Sequence, residues 1–162
     1  MGPRSKKLHE IRVPRSIISR SFSEGLYRHP VIHRVKFRTT DFQLSRFFVV
    51  RGALLHQGKK VVLEFLVDTG SALTLIPTAA FQTLNITALH QVQLTGIAAT
   101  AGQHQIGTVE RILIGSAFAS DVMVAGVDLP LGLKVKALLG SRFLQHFTLT
   151  ADYRHGRLLL ED

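Results

Sequence analysis

Short apolar runs alternate with turn-forming residues from about residue 46 to the end of the chain. Phe47–Leu55 and Val61–Val67 predict two strands, and His56–Lys59 predicts the turn that joins them. Further apolar segments predict the remaining strands: Val92 to Ile97 with a period near two, Ile106–Ile114, Val122–Val127, and Thr148–Tyr153 with Leu158–Leu160 as a terminal hairpin. Helical patterns are short and cover only Thr78–Leu84 and Ser141–His146. Many short strands separated by turns favour an all-β domain.

Residues 1–40 follow a different pattern. They contain ten basic and two acidic residues, and three prolines interrupt any long helix. Such a segment buries too little apolar surface to offset the entropy of ordering it. We therefore expect residues 1–40 to form a flexible basic extension, followed by a single domain at 41–162. The alternative is that Val31–Phe37 adds a strand to the sheet or to a dimer interface.

The positive charge of the protein belongs to its N-terminal part. Residues 1–60 carry a net charge of +11, whereas residues 61–162 carry −2. A weak contact with polyanions is therefore one interpretation of the tail. No secretory signal or apolar run long enough to span a membrane is recognisable, which favours a cytoplasmic location. The Arg- and Ser-rich stretch Ile11–Arg28 resembles an organelle transit peptide, so organelle targeting is the alternative.

The residue types exclude several kinds of chemistry. The 162-residue chain has no Cys, which removes disulfides, thiolate zinc sites and cysteine nucleophiles. Its eight His residues are scattered without an H-E-x-x-H motif, and no G-x-S-x-G motif is present. We expect neither a metal site nor an organic cofactor.

The carboxylate of Asp68 follows an apolar strand, where burying a charge is energetically unfavourable. Asp68 follows the apolar run Phe65–Val67 and precedes Thr69-Gly70-Ser71. A similar string, Ala137-Leu138-Leu139 followed by Gly140-Ser141, occurs 70 residues later without the carboxylate. The repetition suggests a duplicated half-domain with pseudo-two-fold symmetry. An ordinary turn between two strands is the alternative interpretation of the Asp68 segment.

The segment from Phe65 to Pro77 resembles the active-site segment of retropepsin-like aspartic proteases, which carries the motif D-T-G-[SA]. The second string, Ala137–Gly140 with Phe143-Leu144, and the terminal hairpin resemble the same family, in its single-domain bacterial or retroelement form. The resemblance covers roughly residues 45–162. It implies a closed β-barrel half-domain with one short C-terminal helix that functions as a homodimer.

The resemblance also assigns roles to individual residues. Asp68 is the implied catalytic residue, and because the chain has one D-T-G, it must pair with Asp68 of the partner subunit. Thr69 would brace the two turns across the dimer axis, whereas Gly70 and Ser71 would hydrogen-bond the carboxylates. Gly140 is a further candidate for active-site support. The implied substrate is a protein or peptide.

A flap is expected to cover the cleft. The candidate segment is rich in small residues and lies between two alternating segments. Its members are Gly96, Ile97, Ala98, Ala99, Thr100, Ala101 and Gly102. The alternative is an ordinary hairpin loop.

An aspartic endopeptidase is the function that these features favour. Three alternatives remain open: a catalytically silent dimerisation or binding module with the same fold, a nucleic-acid-associated protein dominated by its tail, and the protease segment of a mobile-element polyprotein.

Overall fold

The computed structural model describes residues 30–42, 45–93 and 103–162. These residues form strands and three short helical segments, which confirms the prediction of an all-β domain. In chain order the elements are β1 (Ile32–Arg34), β2 (Phe37–Phe42), β3 (Ser45–His56), β4 (Lys59–Val67), β5 (Thr74–Ile76), α1 (Thr78–Thr83), β6 (His90–Gln93), β7 (Gln103–Ile114), β8 (Ala117–Gly126), a 3-10 turn (Leu131–Leu133), β9 (Ala137–Leu139), α2 (Ser141–Leu144), β10 (Thr148–Asp152) and β11 (Arg157–Glu161).

The larger sheet closes on itself. Its strand order is β2-β3-β4-β9-β5-β8-β7-β6, and an additional pairing joins β3 to β7. The β3–β4 hairpin turns at Gln57 and Gly58, and both residues have positive φ angles of 48° and 72°. Two consecutive positive φ angles define the tight hairpin turn that matches the twist of the flanking strands. This turn confirms the one predicted at His56–Lys59.

The central strands are buried on both faces. Phe65 on β4 and Ile76 on β5 belong to one apolar cluster, whereas their neighbours Leu66 and Leu75 belong to a second cluster on the opposite side. All three residues of β9 are buried as well. Burial on both faces explains why Phe65–Val67 at the end of β4 and Ala137–Leu139 of β9 are unbroken apolar runs rather than alternating ones. The ends of β4 and β9 therefore contribute side chains to both clusters.

The smaller sheet joins the two ends of the described chain. Its order is β1-β11-β10, with Ile32 opposite Glu161 and Arg34 opposite Leu159. Val35 is buried, and its N–H donates a hydrogen bond to the carbonyl oxygen of Leu158 (3.0 Å).

The division expected after residue 40 does not coincide with a division in the fold. It falls inside β2, which pairs with β3 from Phe37 to Phe42. The alternative prediction, a strand within Val31–Phe37, agrees with the fold, since Ile32–Arg34 pair with β11 and Val35 is buried. Residues 1–29 lie outside the described part, so the flexibility of that part of the extension stays a prediction. Within the described residues, no helix is long and apolar enough to cross a membrane.

Candidate active site

Asp68 lies directly after β4, beside the end of β9. The two strands run parallel, with Val67 opposite Leu139, and the N–H of Asp68 donates to the carbonyl oxygen of Leu139 (3.1 Å). The carboxylate oxygen Oδ1 of Asp68 accepts a hydrogen bond from the N–H of Gly70 (3.0 Å). A β-carbon at Gly70 would lie 3.3 Å from this oxygen, which is a tight contact. The turn therefore holds the carboxylate with a backbone donor at close range.

The Asp68 turn is open to its surroundings on one side. Asp68 is half-buried, whereas Thr69 and Gly70 are exposed. A carboxylate in this position can contact a substrate or a second chain without a rearrangement of the core.

Gly140 brings the second turn against the first. A β-carbon at this position would lie 2.1 Å from the carbonyl oxygen of Leu73 and 2.9 Å from that of Ser71. Only glycine allows the two backbones to approach so closely. The N–H of Ser141 then donates to the carbonyl oxygen of Ser71 (2.8 Å), and its hydroxyl donates to that of Thr69 (3.4 Å). The two similar strings of the sequence are thus neighbours in the fold and are joined by hydrogen bonds.

Ser71 makes different contacts from those implied by the resemblance. Its hydroxyl donates to the carbonyl oxygen of Leu73 (2.7 Å) and not to a carboxylate. Its N–H donates to the backbone carbonyl oxygen of Asp68 (3.3 Å). Ser71 therefore closes the turn, while Gly70 alone of the pair contacts the Asp68 carboxylate. The role of Thr69 across a dimer axis stays a prediction.

Thr74 belongs to the same network and was not among the predicted site residues. Its side chain is fully buried on β5, and its hydroxyl oxygen accepts a hydrogen bond from the N–H of Gly140 (3.2 Å). The available signal is a lone polar residue in the otherwise apolar run Leu73–Ile76. A buried hydroxyl needs a partner, and here the partner is the backbone of the second turn.

The predicted flap, Gly96–Gly102, lies outside the described residues. The strands before and after it, β6 and β7, pair antiparallel, with Gln93 opposite Gln103. The assignment of a flap to this segment stays a prediction.

No metal centre is found in the described ranges: no three His, Cys, Asp or Glu side chains there are close enough to share an ion. The chemistry that the described site offers is that of a carboxylate that accepts a backbone hydrogen bond.

Comparison with known proteins identifies the family. The family model of gag-polyprotein putative aspartyl proteases matches residues 56–146, which is more than half of the chain and includes Asp68 and Gly140. The chain therefore belongs to the gag-polyprotein putative aspartyl protease family. No curated protein matches it by sequence.

A solved structure shows the same fold. The crystal structure of a retropepsin-like aspartic protease from Rickettsia conorii matches with a TM-score of 0.54 and 16% sequence identity. The match covers 83% of this chain and 94% of that one. The retropepsin-like fold expected from the sequence is thereby confirmed.

Proposed function

We propose that this protein is an aspartic endopeptidase whose active site is shared by two copies of the chain. Asp68 of one subunit and Asp68 of the partner subunit would form the catalytic pair. The observation that carries the proposal is the position of Asp68: it is half-buried after β4, its carboxylate accepts the Gly70 N–H, and the adjoining Thr69 and Gly70 are exposed.

The supporting network favours a catalytic carboxylate over an ordinary turn. The hydrogen bonds of Ser71, Gly140 and Ser141 connect the Asp68 turn to its neighbouring backbone. A simple strand connection does not require a second glycine turn packed at a distance that only glycine permits. Rigid positioning of a reacting group is, in contrast, what catalysis requires.

The proposed reaction uses a water bound between the two carboxylates. Carboxylates about 3 Å apart cannot both ionise, so the pair holds one proton. The ionised carboxylate accepts a proton from the water, whose oxygen bonds to the scissile carbonyl carbon. The protonated carboxylate donates its proton to the carbonyl oxygen. The carboxyl that took the proton from water then donates it to the amide nitrogen as the C–N bond breaks, and a hydroxyl of the tetrahedral intermediate returns its proton to the other carboxylate. The products are a carboxylic acid and an amine, and the pair again holds one proton.

The test is cleavage of a randomised peptide library by the purified full-length protein, with Asp68→Asn alongside it. Asn has the size of Asp but cannot act as the base, so we expect loss of cleavage by at least about 10³-fold with the melting temperature retained. Asp121→Asn, which changes an exposed carboxylate on β8, is the matched control and should leave cleavage unchanged. Wild-type protein that is folded and dimeric but cleaves nothing would instead favour the silent binding module.

A further inference from the structure

An apolar row crosses the outer surface of the barrel on four neighbouring strands. Val62 on β4 lies opposite Ala53 on β3, and Ala53 also lies opposite Leu113 on β7. Leu113 in turn lies opposite Phe118 on β8. The row exists only because β3 pairs with both β4 and β7 where the sheet closes. We call these four residues the apolar row.

The row faces outward. Val62 is 43% exposed and Phe118 is 55% exposed, whereas Ala53 and Leu113 are half-buried between them. The strand neighbours of row residues point inward, since Leu54, Ile112 and Ala119 are all buried. A shallow hollow of about 320 Å³ lies over the row and is lined by Ala53, Val62 and Leu113 together with the basic residues Arg51 and Lys60.

Positive charge borders the row on both sides. Two positions along the strands from the row, Lys60 and Arg111 lie opposite Leu55, and both are exposed. The guanidinium carbon of Arg111 is 5.4 Å from the ring centroid of Phe118. On the other side Arg51 is exposed and lies opposite Glu64.

The carboxylate opposite Arg51 already has another basic partner. Glu64 accepts two hydrogen bonds from Arg38, at 3.1 and 2.6 Å, and this pairing lowers the pKa of Glu64. The exposed carboxylates Glu110 and Asp121 lie one residue beyond the Arg111–Ser120 pair. In the registers that directly flank the row, Arg51, Lys60 and Arg111 therefore outnumber the single carboxylate Glu64, although the whole of residues 61–162 is net negative.

The row is separate from the candidate active site. Val62 precedes Asp68 by six residues on one strand, which corresponds to about 20 Å. A ligand on the row would therefore leave the Asp68 turn open.

We propose that the apolar row and its basic border form a docking surface for an extended acidic peptide segment of a partner protein. Four adjacent strands span about 14 Å, which matches two alternate side chains of an extended peptide with room at each end. Two bulky apolar side chains would cover the row, and flanking carboxylates would face Lys60, Arg111 and Arg51. Exposed aromatic and arginine side chains in contact are typical of residues that dominate binding energy.

The test measures binding of fluorescein-labelled heptapeptides to the full-length Asp68→Asn protein by fluorescence anisotropy. This variant separates binding from cleavage, so the result does not depend on the proposed catalytic function. The first peptide is Asp-Glu-Leu-Ser-Phe-Glu-Asp. A second has Lys at every acidic position, and a third has Ser in place of Leu and Phe. The third peptide keeps the acidic residues and therefore measures electrostatic attraction without the apolar contacts.

The first peptide is expected to bind most tightly, and its affinity should fall as salt increases. Phe118→Ser and Lys60→Glu should each weaken binding by about tenfold. Leu89→Ser and Lys136→Glu change an exposed apolar and an exposed basic residue elsewhere and should leave binding unchanged.

Three results would overturn the proposal: no binding of the first peptide beyond that of the third, equal binding of the lysine peptide, or unchanged binding after Phe118→Ser. Binding of anionic phospholipid vesicles that is lost in the same two variants, without peptide binding, would assign the surface to a membrane and would also refute it.

Discussion

The buried hydroxyl of Thr74 accepts a hydrogen bond from the backbone N–H of Gly140, with 3.2 Å between oxygen and nitrogen. Thr74 lies on β5, and Gly140 follows β9, so the contact ties the strand after the Asp68 turn to the glycine turn beside it. The next residue, Ser141, donates hydrogen bonds to Ser71 and Thr69, so a shift of Gly140 would also displace the Asp68 turn.

Thr74→Val should reduce cleavage more than it perturbs substrate binding. Valine fills the same space but leaves the Gly140 N–H without its acceptor, at a cost of about 1–3 kcal/mol. We expect kcat to fall about tenfold with KM within about twofold, since the defect lies in the placement of Asp68. Thr74→Ser keeps the hydroxyl and should retain most of the activity. Equal losses in the Ser and Val variants would show that Thr74 acts through packing alone.

Gly140→Ala should disrupt the site and the fold together. The added β-carbon would lie 2.1 Å from the carbonyl oxygen of Leu73, which is backbone and cannot move aside as a side chain would. We expect a loss of stability of about 3 kcal/mol or more, measured by urea unfolding. Ser141→Ala removes one long hydrogen bond and is the matched control, with an expected loss of about 1 kcal/mol or less. A Gly140→Ala variant as stable as the wild type would contradict the close approach of the two turns.

Two shortened chains test the role of the N-terminal segment. A chain that begins at Pro30 keeps β1 and β2 and should fold with the melting temperature of the full-length protein. A chain that begins at Asp41 loses β1, most of β2 and the buried Val35. It should melt at lower temperature or aggregate, because the β3 and β11 edges become exposed.

Val35→Ala in the full-length protein tests the same contact without truncation, and it should cost about 2 kcal/mol. If the chain from Asp41 were as stable as the chain from Pro30, the segment 30–40 would be an accessory to the fold.

Asp152 should make the stability of the terminal hairpin depend on acid pH. Its carboxylate accepts hydrogen bonds from the His155 N–H (2.9 Å) and from the Arg157 guanidinium (2.7 Å). These contacts, the His155 backbone bond first, hold the pKa of Asp152 well below its ordinary value. A lowered pKa in the folded state stabilises the protein above the unfolded value of about 4, and this contribution is lost as pH falls through the folded value.

Asp152→Asn should therefore lower the melting temperature at pH 7, and the difference from wild type should shrink as pH falls below about 4. Asp121→Asn is the matched control and should show no such dependence. A constant difference between pH 7 and pH 2 would mean that the charge of Asp152 is not what stabilises the hairpin.

Local pattern was sufficient to predict the centre of the fold. The similar segments at 66–71 and 138–141 begin on the neighbouring parallel strands β4 and β9, with Leu66 opposite Leu138. Two segments that resemble each other in sequence are therefore adjacent in the fold. The apolar runs at the end of β4 and in β9 can be recognised in the sequence because residues buried on both faces of a sheet are apolar at every position.

Features that depend on distant pairing were not predictable in the same way. Val35 is buried beside β11, where its N–H donates to Leu158. The composition of residues 1–40 does not indicate a pairing with a strand at the other end of the chain. Thr74 looks like an ordinary strand residue until Gly140 is placed beside it. The apolar row likewise requires the β3–β7 pairing, which joins residues about 60 positions apart and leaves no local pattern.

Subunit mixing tests most directly whether two subunits share the active site. Wild-type protein is equilibrated with a ninefold excess of Asp68→Asn protein, and cleavage per wild-type chain is compared with that after an equal excess of albumin. If each site needs Asp68 from both subunits, random pairing leaves about one wild-type chain in ten with a wild-type partner, so activity should fall about tenfold. Activity that is unchanged by the excess, although ultracentrifugation shows mixed dimers, would contradict a site built from two copies of Asp68.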